Sequence, residues 1–433
     1  MQDPATSSAT SRPVQAHRQS WVKKLGPGLI TGAADDDPSG IATYSQAGAQ
    51  FGPNMLWTVF LTYPLMVGIQ IISAKIGRVS GHGLASNMRL HYPAWLLYLV
   101  VGLLLVANTI NIAADVSAMG ESLSLLTGGP AQPYAAGLGI ISLLLQMFIP
   151  YSRYVRLLKW LTLGLLAYVA TVFVVEVPWA QAVEHTLLPH LSWTPEYLTT
   201  VVAVFGTTIS PYLFFWQASE EVEELRAKPT SRPLNEAPEQ ARSNFRRIRL
   251  DTIIGMGFSN LVAFFIILTA AVTLHVHGVT DIQTSAQAAA ALEPIAGHFA
   301  FLLFSAGIIG TGLLAVPVLA GSAAYAMAGA FNWKNGLEYA PGAARKFYAI
   351  IAVATLGGIG LCFTPIDPIK ALYWSAVING VISVPIMVVM MLMASRREIM
   401  GQFVIGPRLR IAGWLATGMM GAAVLAMFWA QLR

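Results

Sequence analysis

The stretch GAADDDPSGIATY, Gly32 to Tyr44, sets Asp35, Asp36 and Asp37 side by side within a long apolar run. Adjacent carboxylates can hold a cation, and several together favour a divalent one. In an unbroken membrane helix each charge would cost about 2.5–3.5 kcal/mol at the centre. The neighbouring residues offer a way out. Pro38 has no amide hydrogen to give to a helix ladder, and Gly32 and Gly40 flank the acids with permissive backbone. The expectation is a break near Asp35–Ser39, leaving half-helices at Leu25–Ala34 and roughly Ser39–Phe51. Asp37 followed by Pro38 also reads as a helix N-cap and first-turn pair. Capping accounts for one acid and not for three.

A second stretch, VVAVFGTTISPYLFFWQ from Val201 to Gln217, carries Gly206, Thr207, Thr208, Ser210, Pro211 and Tyr212 in mid-run. Alone it reads equally well as a proline kink. Paired with the first stretch it suggests two broken helices meeting at one site. A broken helix exposes carbonyls and the negative dipole end at the C-terminus of its first half. Those carbonyls lie around Ala33–Ala34 and Gly206–Thr207. With the carboxylates of Asp35–Asp37 and the hydroxyls of Thr207, Thr208, Ser210 and Tyr212, they make a cavity of oxygen ligands. Neither break contains Met, Cys or His. Such a cavity suits Mg2+, Mn2+ or Ca2+ better than softer transition metals.

These stretches must be held by membrane helices. Of 433 residues, 55% are apolar and 11% charged, against about a quarter charged in a soluble protein. Eleven apolar runs of spanning length fall near 25–51, 54–77, 94–125, 133–150, 157–177, 196–219, 250–275, 297–330, 346–364, 369–394 and 409–431. Of the 26 Lys and Arg, all but Lys370 and Arg433 lie on one side of the membrane if this span count is used. The positive-inside rule makes that side the cytoplasm, with the N-terminus inside and the C-terminus outside. The net charge of +5 comes from these flanks, with no basic patch for nucleic acid. Breaks in spans one and six are what two inverted five-helix repeats would produce, with a site at their interface. The expected division is a polar, disordered cytoplasmic tail over 1–20, a first repeat over 21–177, a second over 178–394 with a cytoplasmic linker at 226–249, and a last helix over 395–433. The tail lacks the features of a signal peptide, and the single Cys362 can build no disulfide within the chain.

The quoted residues carry a resemblance. GPGLITGAADDDPSG followed by ATYSQAGAQFG resembles the first helix of the Nramp family of divalent metal transporters, and GTTISPYLFFWQASEEVEELR resembles its sixth. The resemblance covers nearly the whole chain. It implies an all-α polytopic protein of leucine-transporter-type fold that moves Mn2+ and Fe2+, usually with protons. It also implies metal ligation by Asp37 and by the carbonyls of Ala34 and Thr207. The departures matter. Where the family has Asp-Pro-Gly-Asn, this chain has Asp37-Pro38-Ser39-Gly40, so the second ligand position is Gly40. Where the family has Met-Pro-His, it has Ser210-Pro211-Tyr212, without the thioether. That pattern is similar to the Nramp-related magnesium transporters and implies Mg2+ and Mn2+ as substrates, moved by alternating access.

Asp115 matches the Asp of the family's proton route and shares a helical face with Asn108 and Asn111. The Glu three residues on is Ala118 here, and the helix-six His is Tyr212, which does not titrate near working pH. Weak or absent proton coupling is expected, with Asp115 as the remaining relay candidate. Asn379 and Ser383 on span ten could face the cavity or serve helix packing. Glu220, Glu221, Glu223 and Glu224 at the end of span six read first as a solvated face and second as an ion-attracting vestibule. His275 and His277 read as surface residues at an external helix end, and SAGIIGTG at Ser305–Gly312 as a packing surface. No activated nucleophile or zinc-ligand spacing points to an enzyme, so the expected partners are the substrate ion and the bilayer, with no cofactor and no obligate protein partner. The localisation expected is the inner or plasma membrane of the cell. The competing readings are a proton-coupled Mn2+/Fe2+ symporter, a cation-coupled carrier of an organic solute, and a passive channel or ion sensor.

Overall fold

A computed structural model describes residues 31, 32, 34–149, 165–228 and 230–433. Among them every regular element is a helix, with no strand. The long helices are α1 Pro38–Phe51, α2 Leu56–Ser80, α3 Ala94–Thr127 and α4 Ala131–Phe148. After the short α5, Leu166–Val172, come α6 Pro195–Thr208, α7 Pro211–Ala227 and α8 Ala241–Thr273. The chain ends with α9 Ala300–Ala330, α10 Arg345–Leu361, α11 Pro368–Ser395 and α12 Pro407–Gln431.

Proline sets many of these starts. α1, α6, α7, α11 and α12 each open on Pro, whose fixed φ suits the first turn, where its missing N–H has no helical partner to lose. Asp37, Thr194, Ser210, Asp367 and Gly406 precede them as N-caps.

Among the described residues eight helical stretches are long and apolar enough to cross a membrane, the first holding two expected spans, since Pro38–Ser80 runs on through a turn at Gly52–Met55. The other two are accounted for separately. Expected span five lies partly outside the described residues and continues as α5. Span nine is α10, whose 17 residues are at the lower end of what crosses the hydrocarbon core. The chain is a multi-pass membrane protein, and large apolar side chains such as Phe60, Val353 and Leu425 stand more than half exposed on its outside, as lipid contact requires.

Two groups of helices meet around spans one and six. α1 and α2 pack on α8, and α7 packs on α2. On the other side α3 is the hub, packed on α4, α9, α10 and α11, and α11 bridges the groups by packing on α6. One boundary departs from expectation: span seven begins at Ala241 rather than near 250. Its extra turns carry Arg247, and their polarity conceals them from a hydropathy reading.

Candidate metal centre

Both expected breaks are present, and each is shorter than the sequence suggests. Span one is helical to Asp35, bends at Asp36, and restarts at Pro38 after Asp37 in extended conformation, φ −75° and ψ 169°. Most of the expected first half-helix, Leu25–Ala34, lies outside the described residues. Span six ends its first half at Thr208, and Pro211 opens the second after Ile209 and Ser210.

Inside a bilayer the freed backbone groups need partners, and the local residues supply them. Asp37 caps α1, its Oδ1 accepting from the Gly40 amide at 2.7 Å. On span six the Thr208 hydroxyl donates to Val204 O at 2.6 Å, and the Ser210 hydroxyl is placed to donate to Gly206 O at 2.9 Å and Thr207 O at 2.8 Å. Ser383 of α11 reaches Ile209 O at 2.8 Å and also approaches Asn379 O at 2.8 Å. Gly206 is required by this docking, because a Cβ there would collide with the Ala376 carbonyl oxygen.

Tyr212 joins the two breaks. Its hydroxyl lies 3.2 Å from Ala34 O and 3.2 Å from Asp37 Oδ2, and the ring is fully buried. Gly40 completes the junction, since a Cβ on it would stand 3.2 Å from Thr207 Oγ1. Asp37, Ala34, Gly40, Thr207, Ser210 and Tyr212 therefore cluster at one place, all within 2% exposure or inside the buried part of α1. Every donor atom they offer is oxygen. Ser and Tyr hydroxyls can donate or accept, so the ones now bonded to Ala34 O and Thr207 O can turn their lone pairs toward a cation.

The three acids separate. Asp35 Oδ2 and Asp36 Oδ1 both face the Ser259 hydroxyl of α8, at 2.6 and 2.9 Å. Of the three, Asp37 alone hydrogen-bonds to span six. Among the described residues no three His, Cys, Asp or Glu side chains converge on a single point, so carboxylates by themselves do not complete a coordination shell here; carbonyls and hydroxyls must contribute. Asn379 is buried on α11 with its Oδ1 unpartnered, one turn from the Ser383 that binds the span-six break. Asp115 is fully buried on α3, facing the Ser39 amide and the Asp37 carboxylate. On the same face, Asn108 donates to Leu319 O and Ser322, while Asn111 has neither side-chain atom hydrogen-bonded to protein.

Ser259 is not singled out by sequence, because one Ser in an apolar helix carries no distinguishing signal. The same holds for Tyr44, whose hydroxyl lies 3.1 Å from Thr208 Oγ1. A cavity of about 310 Å3 lies beyond the site, lined by Gln46 and Gln50 of α1, Glu196 of α6, Asp281, and Lys370 and Tyr373 of α11.

The glutamates of span six correct an expectation. They are not a solvated face: Glu221 is fully buried and Glu223 is 8% exposed. Arg247 Nη2 binds Glu221 at 2.5 Å and Glu224 at 2.7 Å, and Arg78 lies 3.7 Å from Glu224. Glu223 accepts from the Tyr325 hydroxyl and, at 2.6 Å, from the Leu337 amide. His275 and His277 also do more than decorate a surface, since each Nδ1 faces a backbone carbonyl, Ala49 O at 2.8 Å and Thr273 O at 2.6 Å. Cys362 is buried, its Sγ 3.3 Å from Ala113 O. In the Ser305–Gly312 run, Gly312 packs against Met119 and Pro38.

The family model for Nramp, natural resistance-associated macrophage protein-like, matches residues 28–430. A divalent metal cation transporter, MntH, of Klebsiella pneumoniae (strain 342) is 25% identical over 409 residues, covering 93% of this chain and 92% of its own length. A manganese transporter of Eremococcus coleocola, solved in complex with an aromatic bis-isothiourea compound, superposes with a TM-score of 0.72 at 17% identity, over 96% of this chain and 87% of its own. MhsT in complex with L-phenylalanine superposes with a TM-score of 0.63 at 12% identity, over 95% and 99%. The fold is of the leucine-transporter type, with spans one and six broken, and the chain belongs to the Nramp family, a family of transporters and not of enzymes.

Proposed function

We propose that this protein carries Mg2+ and Mn2+ across a cell membrane by alternating access, with weak or no proton coupling. The observation that carries this reading is the donor set: Asp37, the carbonyls of Ala34 and Thr207, and the hydroxyls of Ser210 and Tyr212 are brought together with no sulfur or nitrogen among them. Hard oxygen donors favour hard ions, and a site with few carboxylates suits Mg2+ that keeps part of its water. Gly40, with no side-chain donor, adds neither nitrogen nor sulfur to the set. The relatives, a divalent metal cation transporter and a manganese transporter, support a divalent cation as cargo. The 310 Å3 cavity with Glu196 and Asp281 on its wall supports an entrance from the face opposite the basic loops, and the one-sided distribution of Lys and Arg supports a cytoplasmic N-terminus.

A second reading, a proton-coupled Mn2+/Fe2+ symporter, is favoured by one observation: Asp115 is buried facing Asp37, where it could exchange a proton as the ion binds. Flux into proteoliposomes separates the two. We expect saturable uptake of Mg2+ and Mn2+ that competes within one site and produces no internal acidification. Preference for Fe2+ or Zn2+ over Mg2+, or acidification that tracks Mg2+ entry, would overturn the first reading.

A further inference from the structure

The mid-membrane site uses oxygen alone, while several of the chain's eight histidines, His185, His190, His275 and His277 among them, lie between spans on the face opposite the basic loops. Two of them face each other. His185, on the short helix Trp179–Leu187, and His190, three residues past its end, hold their Nδ1 atoms 3.0 Å apart with ring centroids separated by 4.6 Å. The backbone at His190 is anchored from below. Tyr197 donates its hydroxyl to His190 O at 3.1 Å, accepts from Trp57 Nε1 at 2.9 Å, and packs edge-on against Phe51. Both anchoring rings are buried, Tyr197 at 2% and Trp57 at 8% exposure. His185 also lines a cavity of about 1160 Å3 with Glu176, His275, His277 and Glu293.

Two imidazoles whose Nδ1 atoms meet at this distance must share a proton or share a cation, since two lone pairs would repel. The spacing is that of an N–H···N hydrogen bond, and it also puts both nitrogens within reach of one shared cation. With metal–nitrogen bonds of about 2.0–2.1 Å, a nitrogen pair 3.0 Å apart subtends roughly 95° at the metal, whereas a tetrahedral ion would need about 3.3 Å. Near-right-angle coordination by imidazole is the preference of tetragonal Cu2+ and Ni2+, and Cu2+ stands highest in affinity for such donors.

We propose that His185 and His190 form a surface binding site for a divalent transition-metal ion of tetragonal preference, Cu2+ or Ni2+, with water filling the remaining positions. It is separate from the oxygen site at depth. The chain then sorts divalent ions by donor atom: nitrogen at the surface holds the borderline metals and oxygen in the membrane takes the hard ones. The second half of that division rests on the function proposed above; the histidine site does not.

Electron paramagnetic resonance of the full chain in detergent, with one equivalent of Cu2+ at pH 7.5, tests it. The expected signal is tetragonal with hyperfine splitting from two nitrogens. His185→Gln and His190→Gln should each remove one nitrogen, and the double variant should weaken binding at least tenfold. Asp37→Ala should leave the signal unchanged. A two-nitrogen spectrum that survives in the double variant, or one that disappears in Asp37→Ala, overturns the proposal. Mg2+ uptake by the double variant, expected at wild-type rate, shows that its loss of Cu2+ is not a loss of fold and tests the deep site independently.

Discussion

Two clusters of buried acids flank the second half of span six, and they are neutralised in different ways. At mid-membrane, Asp35, Asp36 and Asp37 are met by a Ser259 hydroxyl, a Tyr212 hydroxyl and the Gly40 amide. At the end of span six nearer the basic loops, Glu221 and Glu224 are met by Arg247, with Arg78 and Lys228 on Glu224 and Asp251 on the far side of Arg247. Hydroxyls and amides satisfy lone pairs without cancelling charge; guanidinium does both. Among the described residues no Lys, Arg or His forms an ion pair with the mid-membrane acids. One cluster is therefore left with negative potential that a mobile cation can fill. The other is a closed network that ties α7 to α2 and α8. Burial of acids thus marks neither cargo nor structure until the countercharge is known.

Removing a countercharge should break the comparison most forcibly. Arg247→Ala strips Glu221 of its ion-pair partner and leaves Glu224 to Arg78 and Lys228, and a buried charge left alone costs about 3–5 kcal/mol. The expected result is a large drop in thermal stability in detergent, partly restored by adding Glu221→Gln, with Mg2+ affinity of the surviving folded protein little changed. Next comes Asp37→Asn, which keeps the shape and removes the charge at the junction of the breaks. Mg2+ and Mn2+ affinity by calorimetry should fall about 100-fold, close to 2.7 kcal/mol, while thermal stability holds or rises because no arginine loses a partner. Equal losses of stability in both variants would erase the distinction between the clusters.

Smaller effects sharpen it. Tyr212→Phe removes the hydroxyl that spans Ala34 O and Asp37 Oδ2. Loss of one such group is worth about 1 kcal/mol, so ion affinity should change by roughly fivefold and flux should persist. Ser259→Ala should matter least to binding, under about threefold, because among the described residues its hydroxyl meets Asp35 and Asp36, though it removes a donor from each carboxylate and should lower stability by about 1–2 kcal/mol. A Ser259→Ala effect on Mg2+ affinity as large as that of Asp37→Asn would place Asp35 or Asp36 among the ligands.

Much of the junction is legible in the order of residues alone. Asp37-Pro38 announces a cap and a restart, and Ser210-Pro211 announces another, because proline excludes its own N–H from the ladder wherever it stands. Their meeting is suggested by an odd separation of five spans, which inverts one repeat relative to the other. The division of labour among Asp35, Asp36 and Asp37 is not legible. Successive residues at a helix end point in different directions, and which direction faces span six depends on how α1 is rotated against α8. The glutamates mislead for a related reason. Four acids in five positions resemble a wet surface, and the residue that pairs two of them, Arg247, lies more than twenty positions further along in what reads as a basic loop.

The amino-acid order by itself determined that this chain crosses a membrane repeatedly, which ends face the basic side, where two spans must break, and that oxygen is the chemistry available at both breaks. These follow from local rules: apolar length, the placement of Lys and Arg, and the hydrogen-bonding limits of proline. Tertiary structure decided which carboxylate meets the sixth span, which acids are cancelled by arginine, and that two histidines on the far face point at each other. Those outcomes depend on packing between segments distant in sequence, where a rotation of one helix by a single residue exchanges a ligand for a lipid-facing side chain or a partner for an orphaned charge.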